Sequence, residues 1–527
     1  MELRSAPPVV ELTHAFTTPF DNAVATARTC YSSKIITDDD VRKKPELRDK
    51  IAKSIYTAGH HTTLQHAHFQ FTVDGVSRQA LWAFFHAHPF YNSEQVSQRY
   101  VEVKRGRVLA PRLANAALDA RYDAVVERQM EVYRALLTLL EPAARDAYFT
   151  VYPARKKRAD DARWQGAIKK RCQEVARYVL PVATHAHLYH TISGLTLHRY
   201  HRLARHPGCP SEVRLVVDAM VRAVGALDPL FHESLEGPMD DARMLEGKLD
   251  DGDAIVRDRS SARETTRAFL REFDDGLSGK TSRLVDHTRD PERALARAVR
   301  QTLGLPSSSM SDDDALSLAL DPAKNAYLGE SLNLGTLSRT MRALDVVHFT
   351  FEKRLSHTAD SQGQRHRMTP GARPELTHHV VPGVPDYVTP SLFAHPLAEE
   401  ARRVYEREMR TVWDDVAFLV DEGVAAEAWQ YVLPNAVAVR FTETGSLLDQ
   451  HHKWTTRLCF NAQEEIWRAV LDEVNAVRAV APTIGKYLLP PCGLRMRAGT
   501  TPHCPEGDRF CGIPVWKQSQ DEYVRLL

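Results

Sequence analysis

The feature that most constrains this chain is a long-range internal repeat. The stretch HFQFTVDGVSRQ (68–79) resembles HFTFEKRLSHTA (348–359), and ARYVLPVATHAH (176–187) resembles WQYVLPNAVAVR (429–440). The two pairs occur in the same order in each half, and their separation is far too long for a solenoid repeat. The repetition therefore predicts two homologous domains, one in each half of the chain.

Both halves show the same succession of local patterns. An Ala-rich helix opens each half, DNAVATARTCY (21–31) in the first and DPERALARAVR (290–300) in the second. The strand HFQFTV or HFTFEK follows, in which apolar residues alternate as in a half-buried strand. After a variable loop, apolar residues three and four apart predict long helices over 118–145 and 396–421. With a last helix following each VLP turn, we expect an α+β fold in which each domain packs a small sheet against long helices.

The domain boundaries follow from composition. The polar stretch FDDGLSGKTSRLVDHTRDP (273–291) is rich in Gly, Ser and Asp and predicts a linker. We expect the first domain over 1–280 and the second over 285–485. Residues 486–527 form a tail rich in Cys, Pro and Gly that lies outside the repeat.

Composition narrows the function classes. Hydrophobic residues make up 43% and charged residues 26% of the chain, as in globular proteins, and the net charge of +1 supplies no overall field for a polyanion. No apolar run approaches the roughly 18 residues of a membrane span, and the N-terminus lacks the basic-then-apolar order of a signal peptide. Seven scattered cysteines favour a reducing compartment. We therefore expect a cytoplasmic protein that binds neither nucleic acid nor membrane.

Arginines stand out as candidate ligands. The triplet Arg365-His366-Arg367 lies just before two prolines, and Arg440 follows the apolar run NAVAV. Arg457 lies in KWTTRLCFNAQEEIW, for which a single helix is expected. The planar fork of Arg matches phosphate or a pyrimidine imide. An isolated Arg-His-Arg triplet is more often a solvated loop, so convergence on an anion and a solvated loop both remain open at this point.

In the second half these residues carry a family resemblance. The strand HFTF, Gln362 three residues before the triplet, Arg440 six residues after VLP, and Arg457 in R-LCFN-AQ-E-EI resemble the flavin-dependent thymidylate synthases. In the first half, the stretch from HFQF to SQRYVEV resembles the same family and ends in the S-x-R of Ser97 and Arg99. The resemblance covers most of both halves.

The family signature is Arg-His-Arg followed, after a spacer of seven residues, by S-x-R. Neither half contains the complete signature. The first half has His86-Ala87-His88 in place of Arg-His-Arg, His187 in place of the Arg after VLP, and Ala204 in place of the Arg of the last motif. The second half keeps Arg-His-Arg but has lost S-x-R, and Arg373 is its nearest substitute. The two halves are therefore degenerate in complementary places.

The resemblance implies an enzyme that methylates dUMP to dTMP with FAD as cofactor and with methylenetetrahydrofolate and NADPH as co-substrates. It implies that Arg457 is catalytic, because a guanidinium at the uracil edge stabilises negative charge developing on the ring. The implied substrate contacts are Gln362, Arg365, Arg440, Arg457, Glu94, Ser97 and Arg99. The implied flavin contacts are Arg365, His366, Arg367 and Thr62, the last in GHHT. Leu448 and His452 replace two flavin-contacting residues of the family.

The resemblance also bears on assembly. Members of the family are homotetramers whose sites lie between subunits, so a tandem chain could share one pyrimidine nucleotide between Glu94, Ser97 and Arg99 and the second-half arginines. A homodimer would then imitate the tetramer. Two alternatives remain: a catalytically inactive nucleotide-binding paralogue, and a flavin enzyme that alkylates C5 of a different pyrimidine nucleotide.

The tail carries three of the seven cysteines, Cys492, Cys504 and Cys511, with His503 beside them. Three Cys and one His match the four ligands of structural zinc, but their spacing lacks the C-x2-C hairpin of a zinc knuckle. A structural zinc site and a Gly- and Pro-rich tail without metal are both compatible with the sequence.

Overall fold

The computed structural model describes residues 1–87, 90–206, 209–240, 243–245 and 259–525. His88, one of the residues in place of the family triplet, lies outside this part of the chain. The chain forms two compact units, neither of them continuous in sequence. Unit 1 comprises Met1–Arg128, Leu180–Ala262 and Asp415–Leu433. Unit 2 comprises Gln129–Val179, Arg263–Asp414 and Pro434–Leu527.

Unit 1 contains a four-stranded antiparallel sheet in the order β1-β2-β4-β3. Its strands are β1 (Val9–Ala15), β2 (His68–Ser77), β3 (Asn92–Gln95) and β4 (His185–Ser193). On β2, Phe69, Phe71 and Val73 are buried because side chains alternate between the two faces of a strand. A bulge at Gly75, whose φ is +76°, shifts the register between Asp74 and Val76.

Unit 2 contains a second sheet with the equivalent order, β5-β6-β8-β7. Its strands are β5 (Ser282–His287), β6 (His348–Ser356), β7 (Gly371–Ala372) and β8 (Ala438–Ser446). Phe349 and Phe351 are buried on β6 at the positions of Phe69 and Phe71. The matching sheets confirm the predicted α+β fold of two homologous halves.

Helices surround both sheets. Those of unit 1 are Pro19–Thr29, Asp38–Arg42, Pro45–Thr57, Arg78–Ala87, Gly194–Arg202, Ser211–Leu227, Pro229–Glu233 and Ala426–Trp429. Those of unit 2 are Glu141–Val151, Ala162–Ala176, Pro291–Leu303, Asp312–Leu320, His357–Gly363, Leu447–Arg457, Glu464–Val480, Pro482–Gly485 and Pro491–Arg497. Three helices contain residues of both units: Ala116–Leu139, Arg259–Leu277 and Glu399–Asp421. None of the helices in the described ranges is both long and apolar enough to cross a membrane.

The helices that follow β4 and β8 begin with the same kind of N-cap. Ser193 ends β4, and its hydroxyl accepts a hydrogen bond from the Thr196 amide at 3.2 Å. Ser446 ends β8 and accepts from the Asp449 amide at 3.3 Å. A serine at the N-cap satisfies an otherwise unpaired helix amide, so each chain segment passes directly from strand to helix.

Three expectations about local structure were wrong. Each half opens with an edge strand, β1 or β5, before its first helix, and β5 lies within the segment expected to be a linker. The VLP turn leads into a strand, β4 or β8, before the last helix begins. The single helix expected around Arg457 is two helices, Leu447–Arg457 and Glu464–Val480. Pairing with strands distant in sequence supplies the hydrogen bonds in the first two cases, at the sheet edge for β1 and β5 and in the sheet interior for β4 and β8. Such pairing leaves little trace in the local pattern.

The VLP segments are exchanged between the halves. In unit 1, the Ala183 amide donates to the Tyr431 carbonyl at 3.1 Å. In unit 2, the Ala436 amide donates to the Tyr178 carbonyl at 2.9 Å. Each compact unit therefore includes the tyrosine that precedes VLP in the other half of the sequence.

Candidate functional site

The Arg-His-Arg loop follows a short capped helix in unit 2. Ser356 caps helix His357–Gly363, because its hydroxyl accepts from the Ala359 amide at 3.1 Å. The chain then turns tightly: the His366 amide donates to the Gly363 carbonyl at 2.9 Å, and the Thr369 amide donates to the His366 carbonyl at 3.1 Å. These bonds hold His366 at the inner side of the loop, whereas Arg365 is exposed.

Arg457 joins this loop to the last motif. Its Nε donates to His366 Nε2 at 2.9 Å, and its Nη2 donates to the Gln362 carbonyl at 3.0 Å. Burial, reinforced by the Arg457 charge, holds the pKa of His366 well below its ordinary value. His366 is therefore a neutral imidazole whose Nε2 accepts and whose Nδ1 carries the proton.

A polar network supports Gln362 from behind. The Gln362 side-chain amide donates to Gln463, which donates to the Tyr178 hydroxyl at 2.6 Å. Tyr178 donates to Glu465 at 2.5 Å, and Glu465 also accepts from the Ser356 hydroxyl at 2.6 Å. Burial raises the pKa of Glu465 despite these hydrogen bonds. The network fixes the end of the helix that carries Gln362.

Sequence reasoning missed four members of this network, Gln463, Glu465, Ser356 and Tyr178. Gln463 and Glu465 stand in the A-Q-x-E-I motif, so the motif itself was the available signal. Tyr178 lies in the other half of the sequence, and only the exchanged packing of unit 2 brings it to Gln463 and Glu465.

Arg440 has a different environment from the one expected. It lies on β8 and is 1% exposed. Its Nε and Nη2 bind both carboxylate oxygens of Asp274 at 2.7 and 2.5 Å, and its Nη1 lies 2.7 Å from Asp386. The guanidinium predicted to hold phosphate is thus paired with two carboxylates of the chain itself.

Arg373, the nearest substitute for the lost S-x-R arginine, is also paired internally. Its Nε and Nη2 each lie 3.0 Å from the carboxylate of Asp360, which is buried. The guanidinium carbon stands 4.0 Å from the centre of the Phe441 ring, within cation–π distance. The arginine is held by this buried pair and by the ring.

The residues predicted from the first half all lie in unit 1. Glu94 is exposed on β3, opposite Tyr189 of β4. Ser97 accepts a hydrogen bond from the Arg99 amide at 3.2 Å, and the Arg99 guanidinium lies 5.5 Å from the Tyr100 ring. Thr62 is exposed in the short helical turn His61–His66.

The structure thus brings some predicted residues together within one unit. Gln362, His366 and Arg457 contact one another in unit 2, and Arg365 and Arg367 flank His366 in the same loop. The donor set of this loop suits an anionic, planar cofactor, because two cationic guanidiniums bracket a neutral imidazole. Leu448 is buried in the core and offers no polar contact, whereas the exposed His452 ring lies 6.1 Å from the His366 ring.

The tail cysteines line a cavity together with a fourth. Cys459, Cys492, Cys504 and Cys511 surround one small cavity of unit 2, and all four are free thiols. Burial raises the pKa of Cys459 to about 11 and that of Cys492 to about 12. Across the described ranges, no group of three or more His, Cys, Asp or Glu side chains is arranged to hold a metal ion. The structure therefore gives no support to the zinc site, which stays a prediction.

Two equivalent sheets and a guanidinium-rich loop define the chain as a duplicated α+β protein with the elements of an anion site. The family model described as "Thymidylate synthase complementing protein" matches residues 11–230 and 283–483, which is most of the chain. The chain belongs to this family, the flavin-dependent thymidylate synthases, as a tandem-duplicated member.

Individual relatives each correspond to part of the chain. The flavin-dependent thymidylate synthase of Geobacter sulfurreducens is 32% identical over 44% of this chain and 92% of its own length. That of Saccharolobus solfataricus is 24% identical over 40% of this chain and 77% of its own length. A solved flavin-dependent thymidylate synthase from Helicobacter pylori, complexed with FAD and dUMP, is 23% identical over 45% of this chain and 100% of its own, with a TM-score of 0.31.

Proposed function

We propose that the chain catalyses the methylation of dUMP to dTMP, using FAD, methylenetetrahydrofolate and NADPH. The observation that carries the proposal is the contact of Arg457 with both His366 and the Gln362 carbonyl. This contact unites the two motifs on which the family resemblance rests. The proposal includes a homodimer that imitates the homotetramer of the family.

The FAD contacts in the proposal are Arg365, His366 and Arg367 of unit 2 and Thr62 of unit 1. When bound, the flavin supplies hydride chemistry that side chains cannot provide. The chain's own task is orientation and electrostatics. The neutral His366 accepts a hydrogen bond from Arg457 and has an Nδ1–H to donate, and the flanking arginines supply positive charge.

The substrate contacts in the proposal are Gln362, Arg365, Arg440, Arg457, Glu94, Ser97 and Arg99. Arg457 has the catalytic role, since a fixed guanidinium at the uracil edge stabilises negative charge as it develops on the ring. Its orientation is set by His366 and Gln362, and Gln362 is in turn held by Gln463. A guanidinium fixed in this way needs no reorganisation during the reaction.

A second candidate function is a catalytically inactive nucleotide-binding paralogue. The pairing of Arg440 with Asp274 and Asp386 favours it, because the pair neutralises the arginine expected to hold phosphate. Flavin absorbance of the purified protein separates the two candidates. A yellow protein supports the enzyme, and a colourless protein that binds dUMP supports the paralogue.

The decisive test compares Arg457→Ala with the native chain. We expect tritium release from 5-tritiated dUMP to fall by about 100- to 1,000-fold, because loss of one charge-stabilising donor has that effect. Arg468→Ala is the matched control, since Arg468 lies on the next helix and forms an exposed ion pair with Glu464. It should retain full activity.

Two further substitutions test the substrate contacts of the two halves. Arg99→Ala and Arg440→Gln should each abolish dUMP binding in a calorimetric titration. If Arg99→Ala leaves binding intact, the first half contributes no substrate contact. If the native protein releases no tritium from labelled dUMP but does so from another labelled pyrimidine nucleotide, the reaction class stands and dUMP is the wrong substrate.

A further inference from the structure

The environment of Arg440 points to a device that the family resemblance does not supply. The Asp274 carboxylate binds the Nε/Nη2 edge of Arg440 through both oxygens, at 2.7 and 2.5 Å. This bidentate geometry is the one that a phosphate adopts on a guanidinium. Asp386 binds the remaining Nη1 at 2.7 Å, so ion pairs engage all three guanidinium nitrogens.

The two carboxylates differ in how firmly they are held. Asp386 is also bound by Arg354 Nη2 at 2.6 Å and is mostly buried. Asp274 lies 3.8 Å from Arg354 Nε, and its side chain is 40% exposed. Asp274 therefore covers the solvent side of an arginine that is otherwise inside the protein, and it is the carboxylate more easily displaced.

Charge balance sets a condition on any anion that binds here. Arg354 and Arg440 together carry two positive charges, and Asp274 and Asp386 carry two negative charges. A phosphate monoester placed on Arg440 beside both carboxylates would leave the cluster strongly negative in a half-buried position, which is costly. If Asp274 moves away, the phosphate takes over its bidentate bonds, and the cluster carries about one negative charge less than it would with both carboxylates in place.

We propose that Asp274 is a latch: its carboxylate occupies the anion position on Arg440 and must leave when a substrate phosphate binds. The latch rests on the proposed function, because it takes Arg440 as the phosphate ligand. Its effect is to lower the affinity for the nucleotide, since every binding event must first break the Asp274–Arg440 pair. Helix Arg259–Leu277 thereby regulates access to the phosphate position.

The test is a calorimetric titration of the full-length chain with dUMP. Asp274→Asn removes the competing charge at nearly constant shape, and we expect dUMP to bind about 10-fold more tightly, in line with the loss of a charged hydrogen bond. Deoxyuridine, which lacks the phosphate, should bind equally to both proteins. Asp275→Asn is the matched control, because Asp275 is the exposed neighbour on the same helix, and it should leave dUMP affinity unchanged. Asp274→Ala, as a second variant, should show the same gain.

The outcomes separate the latch from the proposed function. If Arg440→Gln loses dUMP binding but neither Asp274 variant gains affinity, the latch is wrong and Arg440 remains the phosphate ligand. If Arg440→Gln binds dUMP as well as the native chain does, the phosphate assignment fails and the latch fails with it. An equal gain in deoxyuridine affinity also overturns the latch, because the competition would then not involve phosphate.

Discussion

The two halves use the same backbone positions to build opposite kinds of core. Four pairs of positions are equivalent when residues are counted from the start of matching elements. They are the sixth residue of β2 and β6, the sixth of β4 and β8, the seventh of helices Gly194–Arg202 and Leu447–Arg457, and the tenth of helices Ser211–Leu227 and Glu464–Val480. In the first half these positions hold Val73, His190, Tyr200 and Met220. In the second half they hold Lys353, Glu443, Lys453 and Glu473.

The contacts differ accordingly. In unit 1, His190 and the Tyr200 hydroxyl share one hydrogen bond at 3.2 Å, and the other two positions are apolar. In unit 2, Lys353 lies 2.8 Å from Glu443 and 2.6 Å from Glu473, and Lys453 also binds Glu443. All four charged side chains are buried. The two ammonium groups outweigh the effect of burial and lower the pKa of Glu443 to about 2.

This difference shows that the fold does not require the buried charges. A buried ion cluster gives little net stability over an apolar core of the same volume, yet removing one member is expensive. The half that keeps Arg-His-Arg also keeps the charged core, and Lys453 lies one helical turn before Arg457. The charged core and the Arg-His-Arg loop therefore occur together in the second half, whereas the first half has neither.

The largest expected effect comes from breaking the charged core. Glu473→Met places the residue of the first half in the second. It removes one of the two carboxylate partners of Lys353 and the acceptor of the Trp454 indole N–H, 2.6 Å away. We expect a loss of about 3–5 kcal/mol in the free energy of unfolding, because two buried ammonium groups then share one carboxylate. Urea denaturation measures the loss.

Two companion variants sharpen this result. Met220→Leu at the equivalent position of the first half should cost less than about 1.5 kcal/mol, since it conserves volume in an apolar site. Replacing Lys353, Glu443, Lys453 and Glu473 together by their first-half counterparts should recover most of the stability lost by Glu473→Met. If Glu473→Met alone is as stable as the native chain, removing one carboxylate from the buried cluster carries no cost, and the prediction is wrong.

The fold was predictable from sequence only where both halves show the same local pattern of apolar residues. Phe69, Phe71 and their counterparts Phe349 and Phe351 gave the central strands, because alternation is a local signal. The edge strand β1 is largely exposed, and only Val10 and Leu12 pack against the core, so its alternation is too short to identify a strand. The exchange of Tyr178 and Tyr431 between units depends on contacts between distant segments, which no local pattern records.

The candidate site divides in the same way. The contact of Arg457 with His366 and Gln362 joins residues that the motifs had already singled out. The partners of Arg440 were not predictable, because Asp274 lies 166 residues away in a segment whose composition indicates a linker. A local motif can identify an arginine as a candidate ligand. The carboxylate that pairs with that arginine is set by tertiary packing and cannot be predicted from the motif.

The pH dependence of stability should report on a buried carboxylate of unit 1. Burial raises the pKa of Glu212 in unit 1 to about 7, although the Ser77 amide and hydroxyl and the Tyr431 hydroxyl donate to it. The native state then holds a proton that the unfolded state releases near pH 4.5. Stability from this group is complete below about pH 4.5 and is lost as the pH rises through about 7, by about 3 kcal/mol.

Glu212→Gln removes this loss, since the amide does not titrate. We expect the unfolding free energy of the variant, measured in urea from pH 4.5 to 8, to fall by about 3 kcal/mol less than that of the native chain. Glu465, whose pKa burial also raises, contributes equally to both profiles. Histidines such as His198, whose pKa burial lowers to about 4, change stability equally in both proteins. Glu233→Gln is the control, because Glu233 is exposed in the same unit. Parallel pH profiles for the native chain and Glu212→Gln would exclude Glu212 as the titrating group.

The smallest effect tests the exchanged tyrosines. Tyr178 donates to Glu465 at 2.5 Å and accepts from Gln463 at 2.6 Å, whereas Tyr431 donates to Glu212 at 3.3 Å. Tyr178→Phe should therefore cost about 1.5–3 kcal/mol, the range for a hydrogen bond to a charged group, and Tyr431→Phe about 0.5–1.5 kcal/mol. Urea midpoints of the two variants measure the order. Equal losses would mean that the shorter hydrogen bonds of unit 2 bring no additional stability.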